Sequence, residues 1–146
     1  MSEFYILCDH FEEGGEIPKQ YGYNYQNEQP SISWHDRPEN YKCSAWIMDD
    51  PDAMEAVGKV WVHDLGYANR DPHQDLVAGK NDFGEIGWGG PAPPDKRHTY
   101  VFKAYNLDVE LDLKEGYSKQ ELEDAMKGHI IAEAKLTGTY LSLIHI

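Results

Sequence analysis

Positive charge is scarce in this sequence: 13 Lys and Arg stand against 26 Asp and Glu, for a formal charge of −13. Such a field repels phosphate backbones and anionic lipid surfaces, so neither nucleic acid nor bulk membrane is an expected partner. A small anionic ligand stays admissible, because a pocket of backbone N–H donors can be locally favourable within an acidic surface. No run approaches the roughly 18 to 20 apolar residues that cross a bilayer, so stable membrane insertion is not expected. The opening residues, Met1 to His10, have neither a basic start nor a sustained apolar stretch. No secretory signal is therefore expected, and the cytoplasm is the default compartment. Only two cysteines occur, Cys8 and Cys43. In a reducing compartment they read as free thiols, and no chemistry is assigned to them.

Catalytic punctuation is equally thin. There is no G-x-S-x-G elbow, no phosphate-gripping P-loop and no cysteine in a nucleophile signature. Asp50, Asp52, His63 and His98 are of the right type for a metal, but tight ligand spacing such as H-x-x-x-H is missing. No metal and no cofactor is expected.

What is present is a rhythm. At 146 residues the chain has the size of one domain. Short apolar segments are punctuated by Gly, Pro, Asn and Asp about every ten residues, which predicts a mostly β sandwich or barrel. The predicted strands are Phe4 to Leu7, Ser31 to Trp34, Ser44 to Met48, Lys59 to His63 and Thr99 to Leu107. Apolar groups on both faces of Tyr100 to Leu107 suit a central strand. One helix is predicted over Lys119 to Lys127, opened by the capping-box spacing Ser118-Lys-Gln-Glu121 and closed at Gly128. Beyond it the period drops to two, with Ala132, Ala134, Leu136, Gly138 and Tyr140 on one face of a final strand. The polar stretch Asn69 to Asp82 reads as a loop. The last six residues, Leu141 to Ile146, resemble a translated sequencing-adapter end, so the native domain is expected to cover 1–140 and the rest to be a non-native tail.

Three segments could carry chemistry. Asp49-Asp50-Pro51-Asp52 follows a strand end, where carboxylates either close a turn on their own backbone or hold a metal or serve as acid and base. Trp61 and His63 alternate onto one strand face, as a satisfied structural histidine or as a pocket wall. Gly84 to Pro94 packs four glycines and three prolines around Trp88 into an irregular loop, rigid in itself or brought close to something by its glycines.

In this order, Asp50-Pro-Asp52-Ala, Trp61-x-His63, Gly84-x-x-Gly87-Trp-x-Gly90-Pro91-x-Pro93-Pro94 and His98-Thr-Tyr100 resemble the phosphatidylethanolamine-binding protein family, above all its bacterial and archaeal Raf-kinase-inhibitor-like branch. The resemblance runs from residue 4 to 140. It implies a Greek-key β-sandwich with one or two peripheral helices, and a pocket for phosphate or a phospholipid headgroup formed by Asp50, Asp52, Trp61, His63, Gly90, Pro91, Pro94, His98 and Tyr100. It also implies a binder without turnover, acting as an inhibitor or adaptor of kinases or proteases, as monomer or homodimer. In that role His63 and His98 are expected to donate to the anion, with Asp50 and Asp52 orienting them. The alternative is a hydrolase in which an Asp/His pair activates water on a phosphoester or ester. The sequence departs from the family pattern at Met54, Asp64, Trp88 and Thr99, where proline, an aromatic, tyrosine and arginine are usual, and is shorter between His63 and Gly84.

Overall fold

The computed structural model describes residues 3–70 and 75–141. Residues 142–146 of the expected tail, and 71–74 of the expected loop, lie outside them. Eight strands run in chain order: β1 Tyr5–Cys8, β2 Gly15–Glu16, β3 Ile32–His35, β4 Cys43–Asp50, β5 Trp61–Asn69, β6 Val77–Ala78, β7 His98–Leu107 and β8 Ile130–Tyr140. Two α-helices accompany them, α1 Ala53–Val57 and α2 Lys119–Met126. The protein is mostly β, a six-stranded sheet of order β2-β8-β7-β4-β5-β6 faced by the antiparallel pair β1-β3. Strands β4, β5 and β6 pair consecutively and β7 returns to lie against β4, the four-strand order of a Greek key.

Both faces of the large sheet are covered, which is why its central strands read as nearly continuous apolar runs. One face of β4 and β5, with Ala45, Ile47, Leu65 and Tyr67, packs on Leu122 and Met126 of α2. The other face, with Met48, Tyr100, Phe102 and Leu136, packs on Ile6, Phe11 and Ile17. Helix α2 starts as its spacing predicts: Ser118 Oγ accepts the Glu121 N–H, and the Glu121 carboxylate accepts the Ser118 N–H. Gly128, at φ +82°, supplies the left-handed residue just past its end.

Strand β5 is longer than predicted. Asp64 and Gly66 break the apolar pattern after His63, yet the ladder continues to Asn69. Gly66 belongs there because the Trp46 ring lies across the strand: a Cβ on Gly66 would sit 2.5 Å from Trp46 Cζ2. The segment expected as loop contains the short strand β6, paired to Gly66 and Tyr67.

Candidate functional site

The site residues come together through a defect in the β4–β5 ladder. Met48 pairs with Asp64 but Asp49 pairs with Val62, so His63 is an extra residue on β5. Such a bulge re-aims side chains. Here it turns His63 onto the face of Tyr100, the two rings 5.1 Å apart and near-perpendicular. Phe83 stands edge-on to both Trp61 and His63, at 5.5 Å from each.

At the end of β4, Asp50 is 3% exposed and meets His98, which begins β7 and is fully buried. His98 Nδ1 lies 2.6 Å from Asp50 Oδ2 and its Nε2 lies 2.6 Å from Asp95 Oδ1. Burial opposes a charge on this ring, but the two carboxylates outweigh it and lift the pKa above its ordinary value. Burial likewise raises Asp50, against the lowering effect of the His98 hydrogen bond. Asp95, on the exposed loop, is lowered by its bond to His98.

His63 behaves in the opposite way. Its Nδ1 donates to the Gly89 carbonyl at 2.7 Å, and burial drives its pKa down to about 4. At neutral pH the ring is therefore uncharged, and because a carbonyl only accepts, the proton sits on Nδ1. Nε2 is then an acceptor. The expectation that both histidines donate to an anion does not match this arrangement: His98 has both nitrogens committed to carboxylates, and neutral His63 offers a lone pair. Nor do both carboxylates orient the histidines. Asp50 orients His98, while the exposed Asp52 accepts the Thr99 backbone N–H at 2.8 Å and the Gly89 carbonyl orients His63.

The glycine-rich loop does approach something closely, and that something is the chain itself. A Cβ on Gly90 would lie 1.9 Å from the Tyr21 carbonyl oxygen, and one on Gly89 would lie 2.4 Å from the Phe83 ring. The Gly90 N–H donates to Asn27 Oδ1 at 2.7 Å and the Gly89 N–H to the His63 carbonyl at 2.7 Å, so neither points freely into a site. Pro91 and Pro93 are fully buried, whereas Pro94 is exposed. Among the described residues, three buried polar atoms of the site have no hydrogen-bond partner: Asp50 Oδ1, Tyr100 Oη and Trp61 Nε1. Among the described residues no group of three or more His, Cys, Asp or Glu is arranged to hold a metal ion, and no helix is long and apolar enough to cross a membrane.

A family model for the phosphatidylethanolamine-binding proteins matches residues 8–141. The chain belongs to this family. Curated relatives include UPF0098 proteins of Methanothermobacter thermautotrophicus, 39% identical over 89% of this chain and 93% of the relative, and of Chlamydia trachomatis, 40% identical over the same shares. Among solved structures, a putative phosphatidylethanolamine-binding protein homolog of C. trachomatis superposes with a TM-score of 0.85 at 37% identity, covering 96% of this chain and 98% of that one. E. coli YbcL, described as a member of the mammalian family, gives 0.83 at 28% identity over 95% and 98%. The family membership agrees with the fold, and all nine residues named from the sequence fall inside the matched span.

Sequence reasoning passed over several members of the site. Asp95 stands three residues before His98 and was legible as an i,i+3 partner. Phe83 carried no signal inside a polar stretch. It is held by Asn81, whose Oδ1 accepts the Phe83 and Glu85 N–H groups while its Nδ2 donates to the Gly87 carbonyl. Asn27, at φ +55°, locks the loop through Gly90.

Proposed function

We propose that the chain is a non-enzymatic binding protein whose pocket takes a small phosphoryl-type anion, free phosphate or a phosphorylated headgroup, in its protonated monoanionic form. The observation that carries this reading is the pairing of a buried unpartnered donor with buried acceptors: the Tyr100 hydroxyl on one side, Asp50 Oδ1 and the His63 lone pair on the other. Buried polar groups are rarely left unsatisfied. A monoanion supplies both complements, an oxygen that accepts from Tyr100 and an O–H that donates to Asp50 or His63. A dianion offers no proton and is repelled by Asp50.

Binding without turnover is favoured over hydrolysis by the state of the two histidines. His98 is held between Asp50 and Asp95 and has no nitrogen left to accept a proton from water, while a His63 with a pKa of about 4 is a weak base at pH 7. From the family resemblance, the partner class for such a binder is a kinase or protease that it inhibits or adapts.

Titration calorimetry with O-phosphoethanolamine at pH 5.5 and pH 8 tests the reading. Phosphomonoesters lose their second proton near pH ~6, so binding should be weak at pH 8 and several-fold tighter at pH 5.5, and Tyr100→Phe should weaken it about tenfold. Equal affinity at both pH values, or indifference to Tyr100→Phe, overturns it. Phosphoester turnover that Asp50→Ala abolishes would instead establish the hydrolase.

A further inference from the structure

A second site lies on the same sheet face, two residues further along the strands. Between the large sheet and the β1-β3 pair is a cavity of about 210 Å³, walled by Ile6, Trp34, Trp46, Met48, Trp88 and Phe102. A dry apolar cavity of ~150 Å³ is enough to admit benzene. This one has room for an aromatic ring with a short chain. Its wall carries two ionisable side chains, Asp64 and Lys103. The Lys103 ammonium is engaged with Asp49 at 2.9 Å, which leaves Asp64 as the one charge facing the space.

Asp64 is 6% exposed and, among the described residues, no cationic side chain pairs with it. Its neighbours are neutral donors: Gln29 Nε2 at 3.0 Å, the Trp46 indole and the Leu65 backbone N–H. Gln29 is itself exposed and sits at the mouth of the cavity. A buried carboxylate held only by neutral donors keeps a large part of its desolvation cost. Burial accordingly pushes its pKa up to about 7. The Trp88 indole N–H is also buried and unpartnered. A cation entering here would meet a carboxylate and the faces of aromatic rings together, the combination that recognises organic ammonium groups, and the net charge of −13 draws cations toward the molecule.

We propose that this cavity is a binding site for a small primary ammonium carried on an apolar, ring-sized body. The ammonium displaces the Gln29 amide from Asp64, and the apolar body fills the space between Trp46, Trp88 and Phe102. The bulge at His63 makes the site possible, because it places His63 and Asp64 on the same face of β5 where a regular strand would have turned Asp64 toward α2.

The probes are 2-phenylethylamine and its neutral counterpart 2-phenylethanol, titrated at pH 8 by calorimetry and tryptophan fluorescence against wild type, Asp64→Asn and Asp50→Asn. The amine should bind wild type at least tenfold tighter than the alcohol. Asp64→Asn should abolish that preference while retaining alcohol binding, and Asp50→Asn should leave it intact. Asn is isosteric with Asp and can keep the Gln29 and Trp46 contacts, and the Trp46 indole N–H resonance in wild type gives a readout independent of any variant: it should shift on adding the amine. Equal affinity for amine and alcohol, no binding of either, or a preference that survives Asp64→Asn would each overturn the proposal. Loss of the preference in Asp50→Asn would place the amine in the neighbouring phosphoryl pocket and overturn it as well.

Discussion

Asp64 and His63 are adjacent, both buried, and shifted in opposite directions, and their effects on stability can be separated by one substitution. His63 titrates at about 4 in the folded protein against 6.5 unfolded. Above pH 6.5 both states are neutral and the group contributes nothing. As pH falls below 6.5 the unfolded chain takes a proton that the folded one refuses, so stability declines; a shift of about 2.5 units at 1.36 kcal/mol each amounts to about 3 kcal/mol by pH 4. Asp64 titrates at about 7 folded against 3.8 unfolded. Above pH 7 both states are ionised and the folded state bears the full cost of a buried charge. As pH falls from 7 towards 4 the folded protein takes the proton first, so stability rises, by about 4 kcal/mol. The two nearly cancel.

Asp64→Asn removes one arm of this balance. Urea unfolding at pH 4, 5.5, 7 and 8 gives the stability difference between variant and wild type, in which every other titrating group drops out. The variant should be clearly more stable than wild type at pH 8 and lose that advantage on acidification, the difference changing by about 4 kcal/mol between pH 8 and pH 4. A change below about 1 kcal/mol would refute the reasoning, since it would mean Asp64 is solvated or compensated in the folded protein.

Three further outcomes follow from the same contacts. His98→Ala leaves the buried Asp50 unpaired and should cost about 3 kcal/mol by urea unfolding at pH 7, while adding Asp50→Asn should recover at least ~1.5 kcal/mol of the summed single losses; additive losses would deny the pair. The His98 pKa is raised, so its contribution is complete below pH 6.5 and is lost as pH climbs through the folded value; wild type should therefore lose more stability than His98→Ala between pH 6.5 and 9. Gly90→Ala drives a methyl into the Tyr21 carbonyl and should lower stability by at least ~2 kcal/mol with loss of anion binding, whereas Gly84→Ala meets no atom within 4 Å and should show only the cost of its φ of +83°.

The parts of the fold that could be read from the sequence are those set by local chemistry. Ser118 and Glu121 cap α2 because their spacing closes two hydrogen bonds within one turn, and Tyr100 to Leu107 is central because both its faces are apolar. The true extent of β5 was hidden, because Asp64 and Gly66 look like strand breakers until the Trp46 ring over Gly66 and the cavity beside Asp64 are known. In the site, the sequence brings the residues to notice but not their hydrogen-bonding roles. A histidine's role depends on what its other nitrogen touches. The partners here, the Gly89 carbonyl for His63 and two carboxylates for His98, lie 26, 48 and 3 residues away.

On the proposed function, that difference in partners decides which ligand the pocket would take. Had both imidazoles been free to protonate, the pocket would be a cationic trap for any anion, strengthening steadily as pH falls through 6.5. With both His98 nitrogens committed to Asp50 and Asp95, and His63 neutral down to about pH 4, the proposed site would instead select a ligand by the ligand's own proton. Acid strengthens binding in both cases, but the controlling pKa differs: an imidazole near ~6.5 in one, the phosphoryl group near ~6 in the other. Sulfate separates them, because it stays a dianion across this range. A cationic trap binds it more tightly at pH 5.5 than at pH 8; the pocket built by these contacts should bind it poorly at both, and tight sulfate binding at pH 5.5 would show that His63 is protonated in the complex.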